Sequence, residues 1–269
     1  MPELPDVELF KHYLDETCKG RVIRHVAIND RKMLAGVSPE TFTARLEGAR
    51  ILSSRRYGKH LLVRLVPAGW LTMHFGLNGA LRHLDGPETE PPYTRIRLDF
   101  ADGHHLAYIN PRRLGAIGLV DDADSFIAAE ELGPDALDPS FDFAAFEQAL
   151  SGRTRDIKSV LMDQTAIAGI GNIYSDEILF QAGIHPKARA DQLDADARKR
   201  LFRQVKSVLE TAVERGAGAE LAPGALPGSF LLPQRKKGGQ CPRCGGEILT
   251  IKFSGRTAYY CPHCQNENG

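Results

Sequence analysis

The chain has 269 residues, with 34 Lys/Arg against 34 Asp/Glu and 42% hydrophobic residues. That composition supplies a core without disulfide staples and excludes a disordered or collagen-like protein. The zero net charge shows none of the basic excess that nucleic-acid binders often carry, and no apolar run approaches bilayer-spanning length.

The start, Met1-Pro2-Glu3-Leu4-Pro5, lacks the charged and apolar regions of a secretion signal, so a cytoplasmic protein is expected. After Pro5, the apolar residues Val7, Phe10, Leu14 and Cys18 recur at helical spacing and predict an amphipathic helix that ends at Gly20. Cys18 falls on its inner side and reads as a buried thiol. From Arg21 to about Val120 short strands alternate with turns; the clearest lie at 51–52, 61–65, 70–73, 96–100 and 105–108. Many strands at short spacing predict a β-sandwich or barrel-like domain. Residues 121–142 are acidic and read as a linker with a short helix.

From Phe143 to Gly216 the pattern is helical, with short helices at 157–162 and 172–181 and a longer one at 201–213. The glycine-containing connection 163–171 is too long for a tight turn. Residues 216–228 are rich in Gly, Ala and Pro and are predicted to be flexible. Basic residues gather late in the chain, at Arg198-Lys199-Arg200 with Arg203 and Lys206, and from Phe230 onward, where six Lys/Arg face two acids.

Cys241-Pro242-Arg243-Cys244 is followed, after 16 residues, by Cys261-Pro262-His263-Cys264. Two C-x-x-C knuckles at this spacing predict one zinc ion, and four thiolates leave no open position, so the ion is structural. Between them, residues 248–253 and 256–260 flank Ser254-Gly255 and predict a hairpin with Arg256 at its tip. A guanidinium held rigidly there suits a phosphate.

If Met1 is removed, Pro2 presents a secondary amine, part of which is neutral at physiological pH. Such an amine attacking a sugar C1′ gives a cationic iminium, an electron sink that acidifies the C2′ proton. Glu3 stands beside it as acid and base.

Taken in order, Pro2-Glu3-Leu4-Pro5-Asp6-Val7-Glu8, Arg56-Tyr57-Gly58-Lys59-His60-Leu61-Leu62, His74-Phe75-Gly76-Leu77-Asn78-Gly79, Asn110-Pro111-Arg112-Arg113-Leu114-Gly115, Gly169-Ile170-Gly171-Asn172-Ile173-Tyr174 and the four-cysteine module closely resemble the formamidopyrimidine-DNA glycosylase/endonuclease VIII family over essentially the whole chain. The PELP start is more similar to the formamidopyrimidine branch. The resemblance implies a multi-domain α+β protein that clamps damaged double-stranded DNA. Its parts are an N-terminal β-sandwich with a helix (1–120), a linker (121–142), a helix–two-turn–helix domain (143–228) and a zinc finger (229–269).

The implied activity is excision of oxidised bases through a Pro2 Schiff base, followed by strand cleavage by β,δ-elimination. Glu3 is the implied proton donor; Lys59, following a Gly on a strand that enters the cleft, is implied to contact phosphate and assist the elimination, and Arg256 to hold the phosphate beside the lesion, so that Pro2, Glu3, Lys59 and Arg256 form the implied catalytic set. Tyr93, Arg112, Arg153, Lys158 and Asn172 are further implied DNA contacts, with the backbone N–H groups at Asn172 expected to take phosphate and Asn172 itself expected to cap its helix. One structural zinc, no organic cofactor, no membrane and a monomer complete the expectation.

Two departures bear on the lesion. Leu77, Arg112 and Leu114 stand where the family fills the hole left by an extruded base with Met, Arg and Phe, so the apolar wedges persist without an aromatic ring. The stretch 216–223 lacks the threonine-rich lesion-covering loop of the formamidopyrimidine branch, and Asp6 replaces a usual Glu. These departures leave oxidised purines and oxidised pyrimidines both open. A catalytically silent damage-binding relative is the alternative from another class.

Overall fold

The structure, a computed structural model, describes residues 1–86, 88–218, 225–253 and 255–266. The chain divides into two compact units. One holds Met1–Pro2 and Val7–Glu130, the other Glu3–Asp6 and Glu131–Gly269.

The first unit is a β-sandwich with a helix. Helix α1 (Leu4–Cys18) follows the predicted periodicity, and Val7, Phe10, Leu14 and Cys18 are all buried. Burial pushes the Cys18 thiol up to about 11, so it is an inert core group. Strands β1 (Ile23–Ile28), β6 (Ala80–Leu84), β7 (Thr94–Phe100) and β8 (His105–Ile109) form an antiparallel sheet in the order β1-β7-β8-β6. Strands β2 (Leu34–Ala35), β3 (Arg50–Tyr57), β4 (His60–Val66), β5 (Gly69–His74) and β9 (Ala116–Val120) form the second, in the order β2-β9-β5-β4-β3.

Along β7 burial alternates strictly, with Thr94, Ile96, Leu98 and Phe100 inward, as expected of a sheet with one face on the core. On β4, Leu61, Leu62 and Val63 are buried in succession, because both faces of that central strand are covered. The core joins Phe10 and Leu14 to Leu61, Val63, Leu71, Met73, Ile96 and Leu98. Each fully buried apolar side chain contributes about 1.5–3 kcal/mol.

Helix α2 (Pro39–Leu46) interrupts the region that reads as strands only. Its local signals are Ser38, whose hydroxyl accepts from the Thr41 N–H, and Pro39 in the first turn. The acidic stretch after β9 contains α3 (Ala123–Ala129), capped by Asp122.

The second unit is helical. Its helices are α4 (Phe143–Leu150), α5 (Ile157–Leu161), α6 (Asn172–Ala182) and α7 (Ala195–Glu214). Helix α7 begins at Ala195 rather than Leu201, because Asp194 caps it and Ala197 is already buried. It buries Ala197, Leu201, Val205, Val208, Leu209 and Ala212, a single stripe at helical period. The connection between α5 and α6 is held by Gln164, which donates to the carbonyls of Met162 and Ile170 and accepts from the Gly169 N–H.

Strands β10 (Leu249–Phe253) and β11 (Arg256–Tyr260) make the predicted hairpin. Its base shares a small core with α6 through Phe180, Leu231, Cys241, Ile248 and Cys261. Of the segment predicted to be flexible, Ala217 and Leu226 are buried, while the part of the lesion-covering-loop reading that falls on residues 219–224 lies outside the described residues. Ser254, read from the sequence as part of the hairpin turn, does as well. Among the described residues, no helix is long and apolar enough to cross a membrane.

Candidate functional site

In the helical unit, Glu3 is fully buried. One oxygen of its carboxylate accepts from the N–H groups of Gly171 (2.8 Å) and Tyr174 (3.1 Å), and the other accepts from Ile173 (2.8 Å). These donors open α6. The first turn of a helix leaves its N–H groups unpaired at the positive end of the dipole, and a carboxylate satisfies both demands. The sequence points those N–H groups at phosphate; the structure gives them to Glu3. The Glu3 N–H in turn donates to Asp6 at 3.0 Å, and Leu4 donates to the Gly169 carbonyl at 3.1 Å. Asp6 also packs against Gly218, where an added Cβ would lie 2.1 Å from Asp6 Oδ1.

Asn172 is the first residue of α6 and not its cap, a position that falls to Gly171. Its side-chain amide donates to the Thr257 carbonyl at 3.3 Å and so joins the helix to the hairpin. A phosphate offers only acceptors, and this is the donor it would need.

Lys158 departs furthest from expectation. Its side chain is fully buried, and its ammonium lies 2.8 Å from Asp176, 3.0 Å from the Asn172 carbonyl and 2.6 Å from Ser175 Oγ. Arg235 reaches the other Asp176 oxygen at 2.8 Å. Burial pulls the Lys158 ammonium down and pushes the Asp176 carboxyl up, each opposed by the other's charge. The ammonium so enclosed holds α5 to α6.

Beside this pair, burial pushes Glu177 up to about 7, against hydrogen bonds from Gln181 and the Leu232 N–H. Its folded value stands above the usual 4.5, so its favourable contribution is complete below about pH 4.5 and is lost as pH rises through 7. In urea unfolding, the stability difference between wild type and Glu177→Gln is expected to shift by about 3 kcal/mol across that window, because each tenfold change in proton affinity is worth about 1.4 kcal/mol. A Glu177→Gln variant whose stability follows pH in parallel with the wild type counts against Glu177 as the source.

Arg256 is exposed at the start of β11, with a guanidinium nitrogen 3.7 Å from Met162 Sδ. It borders a hollow of about 290 Å³ with Arg155, Ser159, Met162 and Asp163. Arg153 and Arg155 both pair with Asp163, at 2.9 and 2.5 Å. The four finger cysteines are unpaired thiols whose sulfurs all lie within 4.8 Å of one another, with Cys241–Cys264 at 3.8 Å and Cys244–Cys261 at 3.5 Å. Sulfurs about 2.3 Å from a tetrahedral zinc stand roughly 3.8 Å apart, so this set fits that ion.

In the sandwich unit, Lys59 is buried in a two-residue turn between β3 and β4, rather than on a strand, after Gly58 at φ +54°. The neighbouring His60 and His74 face each other across β4 and β5, with ring centroids 5.1 Å apart. Burial first, then neighbouring positive charge that includes Lys59, pulls both down, His60 to about 3, so neither competes with Lys59 as a cation. Single-residue reading gives no signal for this pair.

The three residues read as wedges, Leu77, Arg112 and Leu114, come from two loops that brace each other. Arg112 and Leu114 are exposed, and Leu77 is half-buried. Asn110, fully buried, donates to the Phe75 carbonyl and accepts from the Leu114 N–H, both at 3.1 Å. Arg113 is tied to Asp30 at 2.7 Å, and Arg95 donates to the carbonyls of Asn110 and Pro111. Tyr93, exposed with φ +66°, accepts the Asn110 N–H through its carbonyl.

Gly76 lies so close that a Cβ would stand 2.4 Å from the Leu114 backbone, and one on Gly115 would stand 2.1 Å from the Tyr108 hydroxyl. Gly115→Ala is therefore expected to cost about 1–3 kcal/mol through overpacking, read as a lower denaturation midpoint. A midpoint equal to wild type would show that the loops yield freely.

A β-sandwich, a paired-helix turn and a four-cysteine hairpin, with an acidic side chain from the extreme N-terminus locked on the second helix, define a DNA-glycosylase architecture of the helix–two-turn–helix kind. Residues 1–117 match the formamidopyrimidine-DNA glycosylase N-terminal domain, 132–221 the formamidopyrimidine-DNA glycosylase H2TH domain, and 238–266 the zinc finger found in FPG and IleRS. Formamidopyrimidine-DNA glycosylase of Laribacter hongkongensis is 35% identical, with 98% of this chain and 100% of that protein covered. That of Lactobacillus delbrueckii subsp. bulgaricus is 36% identical, with 98% and 99% covered. The Lactococcus lactis FPG (MutM) complex with Fapy-dG-containing DNA superposes with a TM-score of 0.89 at 28% identity, over 98% of this chain and 100% of that one. A MutM complex with DNA containing carbocyclic 8-oxo-G gives the same score, identity and coverage. The chain belongs to the formamidopyrimidine-DNA glycosylase family.

Proposed function

We propose that this protein is a bifunctional glycosylase/lyase that removes oxidised purines of the Fapy-dG and 8-oxo-G kind from double-stranded DNA and then opens the strand by β,δ-elimination. The observation that carries the proposal is the Glu3 carboxylate, buried and fixed by three N–H donors of α6 while adjacent in sequence to Pro2. Relatives bound to Fapy-dG, 8-oxo-G and abasic-site DNA support the choice of lesion over an oxidised pyrimidine.

With Met1 removed, the Pro2 nitrogen attacks C1′. The new N–C1′ bond forms as the glycosidic bond breaks; the Glu3 carboxylate takes the proton that the Pro2 nitrogen gives up and passes it to the departing base. Ring opening gives an iminium. Loss of the C2′ proton sends its electron pair toward the iminium and expels the 3′ phosphate; a second elimination expels the 5′ phosphate. Lys59 and Arg256 hold phosphates beside the lesion, with Tyr93 and Arg153 as further backbone contacts. Leu77, Arg112 and Leu114 fill the vacated stack. Asn172 acts through the hairpin it holds. Cys241, Cys244, Cys261 and Cys264 would hold one structural zinc that fixes the hairpin base. We place the protein in the cytoplasm, as a monomer without organic cofactor.

Borohydride trapping tests the reading. Reduction of the iminium is expected to leave a covalent adduct with duplexes containing 8-oxoguanine, formamidopyrimidine or an abasic site, and much less with thymine glycol. No adduct from Met-processed protein on abasic DNA would overturn the lyase assignment, and preference for thymine glycol the purine assignment.

A further inference from the structure

Within the sandwich unit, the antiparallel pairing of β6 with β8 sets Leu84 opposite His105. This register gathers His83 on β6, Asp85 just beyond it and His104 just before β8 at one end of the sheet. Nδ1 of His83 and Nδ1 of His104 stand 3.3 and 2.8 Å from the same Asp85 oxygen. The imidazoles stack with centroids 5.0 Å apart, and the three donor atoms all lie within 4.8 Å of one another. His83 is 11% exposed and His104 33%, while Asp85 opens to solvent at 70%.

The backbone on both sides is anchored. The His83 N–H donates to the Tyr13 hydroxyl at 2.8 Å, and the His104 N–H donates to Asp102, which pairs with Arg21. Nε2 of His83 is buried without a hydrogen-bond partner, so packing holds that ring rather than a bond at its far nitrogen. None of the roles proposed above uses these residues.

We propose that His83, Asp85 and His104 form a second metal site, which takes a borderline divalent cation of the zinc class. Two imidazole nitrogens and one carboxylate oxygen are the donor set such an ion favours, with the fourth position left to water. Ligands about 2.1 Å from a tetrahedral ion lie roughly 3.4 Å apart, within the spread of these donors. Binding places each neutral ring's proton on Nε2 and frees Nδ1. The ion would staple β6, the edge strand of its sheet, to β8.

Calorimetric titration of tag-free protein that already carries one zinc per chain tests the site. Zinc chloride near neutral pH is expected to add a second equivalent with micromolar affinity. His104→Ala and Asp85→Asn are expected to weaken that equivalent by at least about tenfold while the first zinc and the strand content are kept. A wild type that takes no second equivalent at about 100 µM zinc overturns the proposal, as does a second equivalent that survives unchanged in His104→Ala.

Discussion

Glu3→Gln is expected to lower base excision by about a hundredfold or more, and to cost the fold about 2–4 kcal/mol. The carboxylate brings two acceptor oxygens to three N–H groups at the start of α6. The amide brings one oxygen and an NH₂ group. At least one N–H then faces another donor, in a place with no solvent exposure. A buried unsatisfied donor costs about 1–3 kcal/mol, and loss of the charge at the helix start adds up to about 2 kcal/mol in partly buried settings. The chemical loss has a separate origin, because glutamine cannot take the proton from the Pro2 nitrogen and pass it to a departing base. On a preformed abasic site there is no base to expel, so strand opening is expected to fall less than excision. Single-turnover kinetics on 8-oxoguanine and abasic duplexes, with urea melts alongside, check both parts. Wild-type excision would remove Glu3 from its proposed role, and a wild-type melt would contradict its structural one.

Lys158→Met is expected to destabilise the helical unit by about 3–5 kcal/mol while the salt dependence of DNA binding stays unchanged. Removal of the ammonium strands Asp176, a fully buried carboxylate whose remaining charged partner is Arg235 at 2.8 Å. Asn172 O and Ser175 Oγ also lose a donor. Replacing both charges, as in Lys158→Met with Asp176→Leu, is expected to recover part of the loss, because uncompensated burial is the larger cost. The DNA-contact reading makes the opposite forecast: little change in stability, and a slope of log affinity against log salt reduced by about one. Denaturant melts and binding at several salt concentrations separate the two.

Much of this protein follows from local pattern. The stripe Val7, Phe10, Leu14 and Cys18 needs only helical period to be seen, and all four are core residues. The two C-x-x-C knuckles carry their own chemistry, and their sulfurs meet as the spacing predicts. Strands β4, β5, β7 and β8 follow from short apolar runs bounded by Gly and Asp. Helix α2 is legible too, in Ser38-Pro39, but its small polar residues blend into a region dominated by strand texture.

The tertiary structure alone decided where the polar groups went. Glu3 meets Gly171, 168 positions away, because an acid and an unpaired helix start satisfy each other, and no local period encodes that meeting. Lys158 reads as a surface cation on a five-residue helix until Asp176 and Arg235 close over it. Asn172 reads as a cap until Gly171 takes that position and leaves the Asn172 amide to donate to the Thr257 carbonyl. Apolar burial leaves a periodic trace in the chain, whereas the partner of a buried charge is set by whichever distant element supplies the opposite group.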